Sequence, residues 1–154
     1  MSSESRSTAS DGRLAAATSY ERRVLRLLAD EQRPAGTVRV THQDRLVGLD
    51  GSYTVDGTLR FEQVGVEFLV IVECKLRRDR IKRSDVQVLH TKLRSIGAQK
   101  AIFVTSTGFQ RGAVEFASRY QISLALSNGS SLHFTMKTFM RHARTRQERY
   151  LLAA

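Results

Sequence analysis

The sequence predicts a three-layer α/β domain, in which a mixed sheet carries helices on both faces. The run Phe68–Val72 is apolar on both faces, as is typical of a central strand covered on each side. A helix beginning near Ser84 and a second apolar run at Lys100–Ser106 follow it. This order implies a right-handed crossover and parallel pairing, whereas the hairpin before Phe68 supplies antiparallel pairing.

The length and net charge of the chain limit the number of domains and the classes of partner that we expect. We expect one domain over residues 13–154 of this 154-residue chain, preceded by a disordered polar tail over residues 1–12. The net charge of +10 favours a polyanionic partner, either nucleic acid or an anionic membrane surface. Because neither a membrane-spanning run nor a secretory signal is visible, we expect a cytoplasmic protein that binds nucleic acid. A single cysteine excludes an intrachain disulfide and a thiolate-rich zinc site.

The first predicted helix covers Leu14–Asp30. Its apolar residues recur at helical spacing and form one stripe: Ala17, Tyr20, Val24, Leu27 and Leu28. Glu21 lies beside this stripe. It is either a solvated flank residue or a side chain that points across the seam between helix and sheet.

A break at Pro34 separates this helix from a short strand predicted at Thr37–Thr41. His42 follows and is expected to be exposed or hydrogen-bonded. The segment Gly48–Ser52 has the composition of a turn, and Asp50 is most simply a turn residue.

The segment Tyr53–Lys75 predicts a hairpin whose turn is centred on residues 64 and 65. That register places Asp56 directly opposite Glu73, and directly opposed residues share a face. Alternation puts Lys75 on the same face as Glu73. The other face is apolar and comprises Val55, Leu59, Phe61, Phe68, Val70 and Val72.

A basic loop follows the hairpin and is either solvated or placed to bind phosphates. Its candidate phosphate contacts are Arg77, Arg78, Arg80, Lys82 and Arg83. Ser84 to Gln87 form a capping-box pattern, so Gln87 either caps the next helix or faces the carboxylates. Further along, Thr105 to Gly108 supply hydroxyls and amides that can bind phosphate or cap a helix.

The C-terminal part is predicted to contain a strand at Gln121–Leu126 and a basic helix over about residues 135–152. This helix could lie on DNA, cover a sheet edge or mediate a homodimer.

The hairpin carries the groups that phosphodiester hydrolysis needs. Carboxylate oxygens of Asp56 and Glu73, with the backbone carbonyl of Cys74, suit Mg²⁺, and Mn²⁺ is a possible substitute. Lys75 would orient the attacking water or stabilise a non-bridging oxygen. The Cys74 side chain should point to the apolar face and behave as a small hydrophobe.

Asp56 followed by Glu73-Cys74-Lys75 resembles the PD-(D/E)xK nuclease superfamily, and more narrowly its Mrr-like restriction endonucleases. The likeness extends to the segment Asp50–Gly57, to IVECK, and to the strand, TSTGF loop and helix that follow. The resemblance implies a restriction-endonuclease-like three-layer α/β/α fold and a Mg²⁺-dependent DNA endonuclease. It also implies that Glu21 and Gln87 are supporting site residues.

Two departures and three rival functions accompany this resemblance. Val55 rather than Pro precedes Asp56, and we find no second domain that would recognise a DNA sequence. One rival is a structure-selective nuclease of the junction-resolving type. The others are a non-catalytic nucleic-acid-binding module on the same fold and a basic protein-interaction subunit.

Overall fold

A computed structural model of the chain describes residues 4–31 and 37–137. Within these ranges the backbone forms three helices and six strands. Their bounds are α1 Glu4–Asp30, β1 Arg39–Val47, β2 Ser52–Gln63, β3 Val66–Lys75, α2 Arg83–Ile96, β4 Lys100–Thr105, α3 Arg111–Arg119, β5 Ile122–Ser127 and β6 Leu132–Met136.

The six strands form one mixed sheet in the order β1-β2-β3-β4-β5-β6. The pairs β1–β2, β2–β3 and β5–β6 are antiparallel, whereas β3–β4 and β4–β5 are parallel. Helix α1 packs on one face, and α2 and α3 pack on the other. The predicted three-layer α/β/α fold with a mixed central sheet is therefore confirmed.

The face beneath α1 is built around Tyr20, which is 1% exposed. Its ring packs with Val24 and Leu28 against Val72 and neighbouring sheet residues, so the predicted helical stripe is largely the buried one. The Tyr20 hydroxyl donates to the backbone carbonyl of Ser127 at 2.8 Å. Burial raises the pKa of Tyr20, so the hydroxyl keeps its proton and the helix stays tied to the end of β5.

The opposite face packs α2 and α3 against the central strands. Ile71 of β3 and Phe103 of β4 are fully buried there, beside Leu89 of α2. Helix α3 contributes the small buried side chains Ala113 and Ala117 to this cluster, and Phe116 of the same helix packs against it. Both faces of β3 are therefore covered, as its continuous apolar run predicts.

The predicted hairpin register is also confirmed. The β2–β3 ladder runs from Gly57 opposite Val72 to Gln63 opposite Val66. Val64 and Gly65 form the turn with φ of 55° and 73°, the left-handed values that a two-residue hairpin turn requires. The apolar pattern and this short turn fix the same register.

Helix α1 begins at Glu4, so the prediction of a disordered tail is wrong for residues 4–12. The described side chains from Thr8 to Ala16 are exposed, so local propensity rather than burial accounts for this extension. The segment contains no proline, and its alanines, arginine and leucine favour a helix.

Within the described residues, no helix combines the length and apolarity needed to cross a membrane.

Two strands differ from the prediction: one is longer than expected, and one occupies part of a predicted helix. Strand β1 runs from Arg39 to Val47, because its whole length pairs with β2. Strand β6 covers 132–136, so the predicted C-terminal helix is wrong at residues 135–136. There the backbone pairs with β5, and the Thr135 hydroxyl donates to the Leu124 carbonyl at 3.2 Å. The rest of that predicted helix lies outside the described residues.

Gly57 marks a close approach of α1 to the sheet. A Cβ atom at this position would lie 2.2 Å from Leu25 Cδ2 and 2.6 Å from Leu25 Cδ1. We expect Gly57→Ala to lower the free energy of unfolding by about 1–3 kcal/mol, because the buried side chain of Leu25, or α1 with it, must shift. Urea denaturation of the two proteins measures this difference.

Gly12→Ala is the matched control, since nothing lies within 4 Å of its added Cβ. Gly12 lies in the exposed first part of α1, where alanine should stabilise the protein by about 0.5–1 kcal/mol. Equal effects of the two substitutions would contradict the packing described for Gly57.

Candidate active site

The sheet is interrupted at Asp56. The β1–β2 register passes from His42 opposite Gly57 to Asp44 opposite Val55, so Gln43 and Asp56 are skipped. Gln43 has a φ of 51°, an uncommon conformation for a residue of this type. The β2–β3 ladder also stops at Gly57. Beyond the end of this ladder, the Asp56 carboxylate accepts a hydrogen bond from the Cys74 N–H at 2.7 Å.

This interruption changes the face on which Val55 lies. Alternation predicts Val55 on the same face as Leu59, but Val55 is buried in the cluster beneath α2 and α3. Leu59 remains in the cluster beneath α1, as predicted. The prediction for Val55 is therefore wrong, because strict alternation does not continue through an unpaired residue.

Glu73 is the most buried carboxylate of the site, at 8% exposed. Its Oε1 lies 3.0 Å from Lys75 Nζ, which agrees with the predicted proximity of the two residues. Its Oε2 lies 3.1 Å from Nζ of Lys92 on α2. Asp56, Glu73 and Lys75 thus gather where β2 and β3 separate.

Lys92 is the residue that sequence reasoning missed. Its ammonium group also donates to the backbone carbonyl of Thr54 at 3.1 Å, so it bridges β2 and β3. The available signal was its position on α2, three residues after Leu89, which is one of the buried residues of that helix. A lysine at such a position can reach a sheet carboxylate from above.

Gln87 does not take the capping role that is one of the two predicted for it. The cap of α2 is made by Asp85, whose carboxylate accepts from the Lys82 N–H at 2.9 Å. Gln87 is exposed, and it lies about 140° around the helix from Lys92. The side chain of α2 that reaches Glu73 in the described part of the chain is therefore Lys92.

Glu21 points into the seam between α1 and β1. Its Oε2 lies 2.7 Å from His42 Nε2 and 3.4 Å from Gln43 Nε2. The Glu21 side chain is only 12% exposed, which excludes the solvated-flank interpretation. His42 accordingly takes the hydrogen-bonded alternative, and the pair borders the interruption beside Asp56.

The site raises the pKa of its central carboxyl. Burial, and next the charge of Glu73, raise the pKa of Asp56 from 3.8 to about 6, although the Cys74 N–H opposes the shift. Burial lowers the pKa of Lys75, but the carboxylates of Glu73 and Asp56 outweigh it and the net shift is upward. Lys75 therefore stays protonated at neutral pH.

The Cys74 side chain behaves as predicted. It is 5% exposed and packs in the cluster beneath α1. Burial, followed by the charge of Asp56, raises the pKa of its thiol well above its ordinary value. Cys74 is therefore a small apolar side chain whose backbone, rather than its sulfur, faces the site.

The basic loop is held in place by hydroxyl groups from the end of β4 and from the loop that follows it. Thr105 donates to the Lys75 carbonyl at 3.0 Å and Thr107 to the Asp79 carbonyl at 3.0 Å. The expectation that these hydroxyls bind phosphate or cap a helix is thus replaced by a third role. All residues from Leu76 to Arg80 are exposed.

The charges of this loop are partly paired. Arg77 contacts Asp85 at 3.2 Å, and Arg83 contacts Glu115 at 3.6 Å. A cavity of about 590 Å³ borders the loop and is lined by Arg13, Leu76, Arg77 and Arg78. Several exposed cations therefore lie directly beyond Lys75.

The donor atoms near Asp56 suit a hard cation with few protein ligands. No group of three or more His, Cys, Asp or Glu side chains in residues 4–31 and 37–137 is arranged to hold a metal. The side-chain oxygens at the site are those of Asp56 and Glu73. Two carboxylates are sufficient for Mg²⁺, which keeps most of its water ligands.

Comparison with known proteins places the chain in a family. It belongs to the restriction endonuclease family described by the Mrr_cat model, which matches residues 19–136. The resemblance to Mrr-like restriction endonucleases is therefore confirmed. No curated protein matches the chain in sequence.

Two solved structures share the fold. One, titled as a protein of unknown function, AF1548, has a TM-score of 0.58 and 17% identity, with 70% of this chain covered. The other, the MspJI restriction endonuclease in complex with a 27-mer oligonucleotide, has a TM-score of 0.50 and 20% identity, with 82% covered. The chain spans 58% of AF1548 and 30% of MspJI.

The raised pKa of Asp56 predicts a pH-dependent stability. Because the folded protein retains this proton from about pH 4 to about pH 6, the contribution of Asp56 to the free energy of unfolding falls across that range. The full effect is about 2–3 kcal/mol at most. Asp56→Asn, which cannot ionise, should therefore gain stability relative to the wild type as pH rises.

Urea denaturation of both proteins at several pH values between 4 and 7 measures this gain. Curves that stay parallel, or an advantage of the variant that shrinks with rising pH, would contradict the buried environment of Asp56.

Proposed function

We propose that the chain is a divalent-cation-dependent DNA endonuclease of the Mrr-like restriction type, with Asp56, Glu73 and Lys75 as its catalytic residues. The observation that carries this proposal is the convergence of two carboxylates and an ammonium group at an interruption in the sheet. A strand interior rarely keeps charges that serve no purpose, since burying them is costly. The family membership supports the same activity.

Asp56 and Glu73 would hold a Mg²⁺ or Mn²⁺ ion. The N–H and C=O groups of a strand residue point towards the same neighbouring strand. Because the Cys74 N–H donates to Asp56 on β2, the Cys74 carbonyl is also directed towards β2. This carbonyl would be the third protein ligand. A bound divalent ion lowers the pKa of its water and neutralises charge that develops on the phosphate.

The chain's own residues then arrange the substrate. Lys75 keeps its proton and would orient the attacking water or contact a non-bridging phosphate oxygen. Glu21, held by His42, would support the site from the α1 side at Asp56. Gln87 is not part of this proposal, because its side chain is exposed and the α2 residue that contacts Glu73 is Lys92.

DNA would be bound through its backbone. The exposed cations Arg78, Arg80 and Lys82 follow Lys75 along the basic loop, with Arg77 and Arg83 partly neutralised beside them. Such contacts give affinity without reading bases. The net charge of +10 agrees with a polyanionic substrate, and MspJI, which shares the fold, was solved with an oligonucleotide.

Plasmid cleavage tests the catalytic assignment. With Mg²⁺ or Mn²⁺ the wild type should nick or linearise supercoiled plasmid, and EDTA should abolish this activity. Glu73→Ala and Lys75→Ala should each lower the single-turnover rate by about 100-fold or more, because each removes a group that acts on the transition state. Electrophoresis of the plasmid forms measures the rates.

Glu67→Ala is the matched control, because Glu67 is an exposed carboxylate on the same strand that pairs with Arg39. It should cut at the wild-type rate. Nicking that survives both site substitutions would contradict the assignment. Tight, salt-sensitive binding without any cleavage would instead favour a non-catalytic module, and a strong preference for branched DNA would favour the junction-resolving type.

Salt dependence tests the basic loop. Arg78→Gln and Arg80→Gln should each weaken DNA binding uniformly across sequences and lower the salt slope of log K by about one. Arg119→Gln, at the far end of α3, is the charge-matched control and should leave the slope unchanged. Fluorescence anisotropy at several salt concentrations measures the slopes. A slope equal to that of the wild type in both loop variants would contradict phosphate contact by this loop.

A further inference from the structure

The two lysines that contact Glu73 have different surroundings. Lys75 contacts Oε1, and its side chain is 31% exposed. Lys92 contacts Oε2, and its side chain is 16% exposed. Lys92 also donates to the backbone carbonyl of Thr54, so it has a second partner that does not depend on the Glu73 carboxylate.

This difference decides which lysine can leave Glu73. Lys75 is the more exposed of the two, and its ammonium group pairs with the Glu73 carboxylate. Lys92 is held at two points and is less exposed, so moving it would also break its hydrogen bond to the Thr54 carbonyl. A cation arriving at Glu73 would therefore displace Lys75 from Oε1 more easily than Lys92 from Oε2.

The balance of charges at the site also favours a displaced Lys75 and a retained Lys92. In the absence of a cation, the carboxylates of Asp56 and Glu73 are balanced by the ammonium groups of Lys75 and Lys92. If both lysines left Glu73, both of its oxygens would be open to the cation and nothing would fix the rotation of the carboxylate. An anchored Lys92 keeps one oxygen occupied and repels the cation over a distance of a few ångströms.

We propose that Lys92 is a positioning residue that holds Glu73 through Oε2, presents Oε1 to the divalent cation and frees Lys75 to face the phosphate. This inference rests on the proposed function and adds a residue from α2 to its site. Lys92 does not touch the reacting atoms. It acts through the orientation of Glu73 and through a fixed positive charge beside it.

Two measurements that move in opposite directions test this role. Lys92→Met should bind Mn²⁺ more tightly by about threefold or more, because a buried like charge is removed. The same variant should cleave plasmid more slowly by about tenfold or more, because Glu73 is no longer held. Isothermal titration of Mn²⁺ into the DNA-free protein and single-turnover cleavage measure the two effects.

Lys92→Gln separates charge from hydrogen bonding, since its amide can still donate to Glu73 or Thr54. It should also bind Mn²⁺ more tightly, but it should lose less of the cleavage rate than Lys92→Met. Arg94→Met, which removes a positive charge from the same helix beside the cavity next to His90, is the control and should change neither measurement.

The outcomes distinguish this inference from the proposed function. Cleavage at the wild-type rate by Lys92→Met, or a parallel loss of Mn²⁺ affinity and rate in folded protein, would overturn the positioning role and leave the nuclease intact. Tighter Mn²⁺ binding by both Lys92 variants, in a wild type that cuts no DNA, would support the positioning role and overturn the nuclease. If Lys92→Met does not fold, the same criteria apply to Lys92→Gln.

Discussion

The hydrogen bond from the Cys74 N–H to the Asp56 carboxylate is the contact on which the site depends. At this point a side chain replaces the backbone partner that β2 would otherwise offer to β3. This hydrogen bond keeps the two strands joined. It also holds the Asp56 carboxylate between the strands, whereas a strand side chain ordinarily projects from one face of the sheet. Because the backbone beside it is unpaired, Val55 turns to the α2 face. Asp56 lies near enough to Glu73 for the charge of Glu73 to raise the pKa of Asp56.

Such a site is costly in folding free energy. Burial raises the pKa of Asp56 to about 6, and Glu73 is almost fully removed from solvent. Two lysines approach Glu73 from different elements, one along its own strand and one from α2. Breaking a buried ion pair by removing one partner destabilises a protein strongly, but apolar residues of similar size are often no less stable. Stability alone therefore does not explain why these four charged groups are kept together.

Much of the site could be predicted because it is local in sequence. The hairpin turn, the alternation of apolar residues and the positions of Glu73 and Lys75 all lie within one segment, and the register follows from the pattern. The central position of β3 also follows from its composition. In each case the sequence pattern and the final packing favour the same arrangement.

The remainder depends on tertiary contacts. Lys92 reaches Glu73 through the packing of α2 on the sheet, and helical periodicity alone does not show which sheet residue a flanking lysine will meet. The displacement of Val55 depends on the unpaired Asp56. The start of α1 depends on weak propensity in an exposed segment, where composition also allows a disordered tail.

The loop after β4 links the catalytic and DNA-binding parts of the proposed site. Thr105 is buried and donates to the carbonyl of Lys75, and Thr107 donates to that of Asp79. The Ser106 hydroxyl reaches the Arg77 carbonyl at 3.2 Å. Three consecutive hydroxyl side chains thus fix the backbone that carries the exposed arginines. The proposed phosphate-binding positions are thus set relative to Lys75 by hydrogen bonds from the end of β4 and the residues that follow it, so the loop can be both exposed and ordered.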